Sequence, residues 1–380
     1  MDPGAPQESD PGDRLARLLR LAQDGADGEG FLPFDRWMDL VLYTEGLGYY
    51  AHPRSPLGPA GDFYTAPHVH PLFAAAFAER ILAVREQLGR DRPFSLVEVG
   101  PGDGTLIAGT LSALGPRLGP DPSLRVVLVE RSSTLRVAAL ARARHAARPF
   151  GVPVGTTDSV ASLGPFEGAV VANELLDAQP VRRLRWNGTE WRELGVRLTD
   201  AGIRADEGPA VHDPPEPPLP RAPSPGTVFE FSPAAEGLVR EVADHLVSGV
   251  LLLDDYGMEE DELLRAHPEG TLATVRGHRS GSDPVAEPGE TDLSTFVNWT
   301  RVRAVARTAG LEVLSDRSQA EALGAWGFPR LFDAAIAAAG TSEAEVRLRL
   351  AVKNLLFGFE RFRILELAPV RVADRFRPPT

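Results

Sequence analysis

The stretch Val97-Glu98-Val99-Gly100-Pro101-Gly102-Asp103-Gly104-Thr105 leads from an apolar strand through three alternating glycines into a helix. A turn that tight between strand and helix occurs at the carboxyl edge of an open sheet, where α/β proteins bind ligands. The flanking pattern agrees. It predicts a helix from Pro71 to Leu88, a strand from Ser95 to Val99, a helix from Thr105 to Leu114, and a strand from Arg125 to Val129 that ends in Glu130. A helix from Ser133 to Arg148, a turn around Asp158 and a strand from Gly168 to Ala172, closed by Asn173-Glu174, complete it. Strands alternating with helices at this spacing form βαβ units, so the expected fold is α/β with a doubly wound, mostly parallel sheet.

The remaining segments are read as additions to that sheet. Residues 1–30 form a frayed arm with one amphipathic stretch, Leu15 to Leu21. Phe34, Trp37, Met38, Val41 and Leu42 have helical spacing, Gly46-Leu47-Gly48 stops that helix, and a long Gly/Pro-rich loop runs from Tyr49 to Pro67. Val181 to Trp186 and Thr189 to Leu198 flank Asn187-Gly188 and read as a β-hairpin with a type I′ turn. The proline-rich residues 205–225 are expected to be an extended surface loop. A helix from Ala234 to His245 and a strand from Val250 to Leu253 return to the sheet, 257–298 is irregular, and the C-terminal third supplies amphipathic helices. One of these opens at Ser342 with Glu345 placed to complete a capping box. Four regions follow: an arm, 1–30; helices, loop and cofactor core, 31–180; hairpin and Pro-rich insertion, 181–232; and completion of the sheet with substrate-side helices, 233–380.

Composition excludes several classes. With 43% hydrophobic and 24% charged residues the 380-residue chain can bury a large core. No apolar run approaches the ~18 residues that cross a bilayer, and the opening MDPGAPQESD lacks the features of a signal peptide. A cytoplasmic protein is therefore expected. The absence of cysteine removes thiolate metal sites and a cysteine nucleophile. A net charge of −13 argues against nucleic acid or anionic lipid as a partner.

The glycine spacing is informative by its difference from a dinucleotide-binding turn. That motif is G-x-G-x-x-G with a pyrophosphate at the helix N-terminus, whereas this turn is G-x-G-x-G with acids at Glu98 and Asp103. Acids oppose phosphate and suit a cofactor with a cationic end. S-adenosyl-L-methionine carries an ammonium and a sulfonium and has no phosphate. Glu130, closing the second strand, stands where an acid can accept hydrogen bonds from two ribose hydroxyls.

These residues resemble the MidA-like S-adenosylmethionine-dependent methyltransferases, a family that includes the mitochondrial arginine methyltransferase of complex I assembly. The resemblance spans about residues 31–315 and is carried by Gly48-Tyr49-Tyr50, Gly61-Asp62-Phe63-Tyr64-Thr65-Ala66-Pro67, Glu98 to Leu106, Asn173 to Val181, Asp255-Tyr256-Gly257, Gly270-Thr271-Leu272 and Pro288-Gly289. It implies a class I methyltransferase (Rossmann-like) fold with added helical segments and a β-hairpin insertion, and methyl transfer to a protein arginine. In this family the segment Gly61, Asp62, Phe63, Tyr64 and Thr65 closes over the cofactor, and the turn Gly100, Gly102, Gly104 and Thr105 cradles its methionine end. The resemblance further gives Glu130 the ribose, places Asp158 near the adenine, and faces Asn173 and Glu174 toward the transferring methyl.

Departures lie on the substrate side. The family usually has Arg where Asp103 stands and Leu where Gln179 stands, and its usual patterns are replaced at His68 to Ala75 and at Asp292 to Trp299. Three functions are weighed: methyl transfer to a protein arginine, methyl transfer to a small molecule or modified peptide, and a non-catalytic assembly or binding role that keeps the fold. Arginine chemistry needs carboxylates to orient a guanidinium, for which Glu174 and Asp177 are the catalytic candidates together with Tyr64. Asp177 could instead cap a helix following the strand. His68 and His70 are read as surface polar residues, with no metal expected, and His278 as a possible base or a loop residue. Phe296 and Trp299 either line a substrate pocket or belong to the core. Asp254 and Asp255 end a buried strand as site residues or as a turn. The oligomeric state is left open.

Overall fold

The computed structural model describes residues 11–51, 65–119, 121–212, 215–221, 223–277 and 279–378. The innermost strands of the main sheet are buried on both faces, whereas its edge strands are part-exposed. In β1 (Phe94–Val99), Phe94 and Leu96 enter one apolar core while Val97 and Val99 enter another. This two-sided burial explains why the central strands read as near-continuous apolar runs. The others are β2 (Leu124–Val129), β3 (Val154–Thr157), β4 (Phe166–Asn173), β5 (Leu246–Met258), β6 (Leu311–Ser318) and β7 (Phe362–Pro369).

Their order across the sheet is β3-β2-β1-β4-β5-β7-β6, with β1 to β5 parallel and β7 antiparallel to both its neighbours. The helices Leu72–Leu88, Thr105–Leu118 and Ser133–Ala147 pack on one face together with the C-terminal helices. Pro233–His245 and Trp299–Thr308 cover the other. The chain forms the doubly wound α/β fold expected from the sequence, with added helices and a hairpin. A separate five-stranded sheet takes in Phe31–Pro33, Arg182–Trp186, Trp191–Thr199, Gly202–Ala210 and Val228–Phe231.

The structure corrects the sequence reading at several points. The hairpin forms, but its loop spans 187–190: Asn187 Oδ1 accepts the amides of Thr189 and Glu190, and only Gly188 takes a positive φ, so the turn is not type I′. The strand Gly202–Ala210, paired to Trp191–Thr199, takes in residues 205–210, the start of the expected extended loop 205–225. The region 257–298 contains a three-stranded sheet, Ala273–Arg276, Arg279–Gly281 and Asp292–Ser294. The last helix is capped by Thr341, whose hydroxyl accepts the Ala344 amide, and Glu345 instead pairs with Arg349. A capping box does form at Ser318 and Glu321. The C-terminal third also holds the strands β6 and β7, which its helical reading omitted. The arm is a helix, Pro11–Gly25, anchored by the fully buried Leu18 and Ala22.

Candidate cofactor and acceptor site

Gly100 follows β1, Glu130 follows β2, Asp158 follows β3 and Glu174 follows β4, all at one edge of the sheet. The winding reverses between β1 and β4, and open α/β sheets leave a crevice beyond such a switch point. Here the crevice encloses about 280 Å³ and is lined by these four residues among others. That volume lies near the lower end of the ~300–1,000 Å³ usual for small-molecule sites.

The glycine turn presents bare backbone to this space. Gly100, Gly102 and Gly104 have φ of 67°, 54° and 81°. A Cβ on Gly104 would stand 2.8 Å from Ala139 Cα, because the helix Ser133–Ala147 packs directly on the turn. Gly100 and Gly102 line the crevice, while Gly104 is committed to that packing. Glu130 accepts the Ser132 amide at 2.8 Å and also the Gly102 amide, so it joins the end of β2 to the turn. Burial pushes its carboxyl up to about 7 against the opposing effect of these amides and Arg136.

Glu98 and Asp103 do not face the crevice as the sequence reading placed them. Glu98 is 3% exposed, accepts the Ile107 amide, and has an Oε2 without a hydrogen-bond partner among the described residues. Burial first, and Asp103 second, push it up to about 8. It belongs to the buried support of the turn. Asp103 turns toward Arg142 at 2.6 Å and His68 at 3.2 Å, and Thr105 joins the same group. Burial opposes the ionisation of Asp103, but hydrogen bonds from His68 and Thr105 outweigh it and hold the carboxyl well below the usual range.

Further carboxyl groups, from separate segments, also line the crevice. Glu174 has a φ of 49°, its amide donates to the Asp254 carbonyl, and its Oε1 accepts the Ala66 amide at 2.9 Å. Burial, opposed by the Ala66 amide and reinforced by Asp177, pushes it up to about 8. Asp177 lines the crevice in a turn, since no helix begins after β4 and the capping role has no helix to serve. Its side chain hydrogen-bonds Tyr256, and burial pushes its pKa up to about 6. Asp292 also lines the crevice and hydrogen-bonds the Tyr50 side chain. Asp255 holds the turn open by accepting the amides of Leu175, Leu176 and Asp177 at 2.7 to 3.2 Å.

Asn173 reaches toward Glu174 but is not part of the crevice wall. Asp254 is fully buried, and its carboxyl is raised by burial and by Glu174. Trp299 is a core residue, and Phe296 packs on Tyr256 away from the crevice. His70 accepts the Leu72 amide. Gly61, Asp62, Phe63, Tyr64 and His278 lie outside the described residues. Thr65 lines the crevice. The sequence reading omitted Tyr43, Tyr50, Tyr256 and Asp292 as site residues, although Tyr50, Tyr256 and Asp292 stood in stretches it had singled out.

Among the described residues, six carboxyl side chains (Glu130, Asp158, Glu174, Asp177, Glu241 and Asp292) and a single guanidinium, Arg131, line the crevice. Arg131 is already stacked on Tyr43 and paired with Asp39. Such a wall offers a diphosphate little to pair with, whereas its raised carboxyl groups ionise as a cationic nucleoside arrives, and the bare glycine backbone leaves room for it. The fold and the site together define a class I methyltransferase that uses S-adenosyl-L-methionine.

The S-adenosyl-L-methionine-dependent methyltransferase family model matches residues 76–315, and the chain belongs to that family. It is 28% identical over 307 residues to the mitochondrial protein arginine methyltransferase NDUFAF7 homolog of Drosophila melanogaster, covering 74% of this chain and 68% of that protein. The Homo sapiens protein arginine methyltransferase NDUFAF7 is 26% identical over 323 residues, or 76% of this chain and 69% of that one. A COG1565 superfamily member from Burkholderia thailandensis, crystallised with S-adenosylhomocysteine, superposes with a TM-score of 0.83 at 28% identity, over 97% of this chain and 95% of that chain.

Proposed function

We propose that the chain transfers a methyl group from S-adenosyl-L-methionine to a guanidinium nitrogen of an arginine in a partner protein. The observation that carries this reading is that Glu174, Asp177 and Asp292, from separate chain segments, all line the crevice. The arginine methyltransferase names of the relatives support it.

When bound, S-adenosyl-L-methionine supplies an electrophilic methyl on a positively charged sulfur. In our reading Gly100, Gly102, Glu130 and Asp158 hold it. Glu174 and Asp177 have raised pKa values in the free protein, and an arriving guanidinium favours their ionised forms, giving charge-assisted hydrogen bonds that orient one nitrogen. As that nitrogen forms its bond to the methyl carbon, the carbon–sulfur electron pair stays on sulfur and one N–H proton leaves. Glu174, once ionised against the guanidinium, accepts that proton, and the burial that raises it to about 8 in the free protein makes it a stronger base than an exposed carboxylate. The phenols of Tyr50 and Tyr256 hold Asp292 and Asp177 in place. The proposal includes a cytoplasmic location and a partner set without nucleic acid or membrane, testable by cell fractionation and co-purification.

Incubating the protein with a knockout lysate and methyl-labelled S-adenosyl-L-methionine tests the acceptor. Label in protein recovered as methylarginine is the expected result. Label in small metabolites alone overturns the arginine acceptor, and binding of cofactor without any labelled product overturns catalysis.

A further inference from the structure

The segment 65–68 touches both the crevice wall and the group beside the glycine turn. Thr65 lines the crevice, and the Ala66 amide holds Glu174. The His68 side chain is only 9% exposed and uses both ring nitrogens. Nδ1 lies 2.7 Å from Thr65 Oγ1, and Nε2 lies 3.2 Å from Asp103 Oδ2 and 3.3 Å from Thr105 Oγ1. Asp103 also takes the Thr105 amide at 3.0 Å and Arg142 at 2.6 Å, so it is a carboxylate with no proton to give. Nε2 therefore carries the proton and donates, which in the neutral ring leaves Nδ1 to accept from the Thr65 hydroxyl.

We propose that His68 is a positioning residue for the cofactor, tying crevice-lining Thr65 to the glycine turn through Asp103 and, through the Ala66 amide, tethering Glu174. This rests on the assignment of the crevice to S-adenosyl-L-methionine. A surface histidine would leave a ring nitrogen to water. Here Nδ1 holds Thr65, three positions back in its own segment, while Nε2 reaches Asp103 and Thr105, 35 and 37 positions on, and Thr65 has no other side-chain hydrogen bond described that would fix it.

The test is calorimetric titration of the full-length chain with S-adenosylhomocysteine, comparing wild type with His68→Ala, His68→Gln and Thr65→Val, with near-UV circular dichroism as the measure of folding. Losing a charge-assisted bridge should weaken binding by about tenfold in His68→Ala. The Gln amide can still donate to Asp103 and should recover most of that loss, which a general packing defect would not allow. Thr65→Val should weaken binding by about threefold. A folded His68→Ala that binds within twofold of wild type overturns the inference, as does a His68→Gln no better than His68→Ala. If His68→Ala does not fold, Thr65→Val decides: binding within twofold of wild type overturns it, and the threefold loss supports it. Wild type that shows no binding removes the cofactor assignment itself, a different failure from equal binding by all variants.

Discussion

The Ala66 amide donates to Glu174 Oε1 at 2.9 Å, joining residues 108 positions apart in sequence. Glu174 also carries a positive φ, which a side chain other than glycine adopts only when its surroundings impose it. These two constraints fix the carboxyl at the crevice. Glu174→Gln keeps the shape and the Ala66 hydrogen bond but removes the proton acceptor of our proposal. We expect methyl transfer to fall by about 10²-fold or more, with S-adenosylhomocysteine affinity within threefold of wild type. Equal turnover by the variant would sink the assignment.

Two acids near the turn are expected to behave differently. Glu130 lines the crevice and ties β2 to Gly102, whereas Glu98 lies buried beneath the turn. Glu130→Ala should weaken S-adenosylhomocysteine binding by about tenfold or more, the loss of at least one hydrogen bond to a charged group. Glu98→Gln should change it by less than threefold. The opposite ranking in calorimetry would mean that Glu98 reaches the ligand directly.

Asp177 and Tyr256 are hydrogen-bonded to each other, and in our proposal Asp177 serves the acceptor. Asp177→Asn should raise the KM for the protein acceptor more than it changes cofactor affinity, and Tyr256→Phe should show the same pattern more weakly. Once an acceptor is in hand, steady-state kinetics with each substrate varied separately decides this. A rise confined to the cofactor KM contradicts the assignment.

The parallel core was legible because burial on both faces writes itself as apolar runs such as Leu251-Leu252-Leu253, and because Gly100, Gly102 and Gly104 mark the turn. The crevice wall was legible in part. Glu130, Asp158 and Glu174 each follow a strand, so topology alone brings them together. Tyr50 and Asp292 come from outside the sheet, and their meeting depends on the packing of Phe34–Tyr43 and Asp292–Ser294, which no local pattern encodes. Glu98 was misplaced because strand alternation turns it away from Val97 and Val99, into the core beneath the helices.

Stability should fall with rising pH in the cofactor-free protein. Burial raises Glu98 and Glu174 to about 8, Glu130 to about 7 and Asp177 to about 6. In the unfolded chain these groups lose their protons near pH 4 to 4.5, so above that point the native state binds more protons than the unfolded one. Their contribution is fully present below the unfolded pKa and is lost as pH climbs through 6 to 8. His70, lowered by burial, acts in the opposite sense near pH 6 but is one half-buried group against four. The thermal midpoint should therefore decrease between pH 5 and 8.5. Glu98→Gln should flatten that decline and raise the midpoint at pH 8.5 by about 2 °C or more. A midpoint that rises across this range would falsify the linkage.

A last prediction concerns a site far from the crevice. Arg80, on the helix Leu72–Leu88, pairs with Glu366 of β7 at 2.8 Å and donates to the Phe376 carbonyl at 2.6 Å, while Trp326 donates to the other oxygen of Glu366 at 3.1 Å. Both charged side chains are 2% exposed or less. Glu366→Gln leaves the Arg80 charge buried without its counter-ion, which typically costs about 3–5 kcal/mol. Replacing both, Arg80→Met with Glu366→Leu, removes the stranded charge and should recover much of that loss, because a buried pair offsets its own desolvation poorly. Urea denaturation should thus rank the double variant above Glu366→Gln. S-adenosylhomocysteine affinity should be unchanged in both, since neither residue lines the crevice. A Glu366→Gln protein within 1 kcal/mol of wild type, measured the same way, would mean that the pair does not latch the helix to β7.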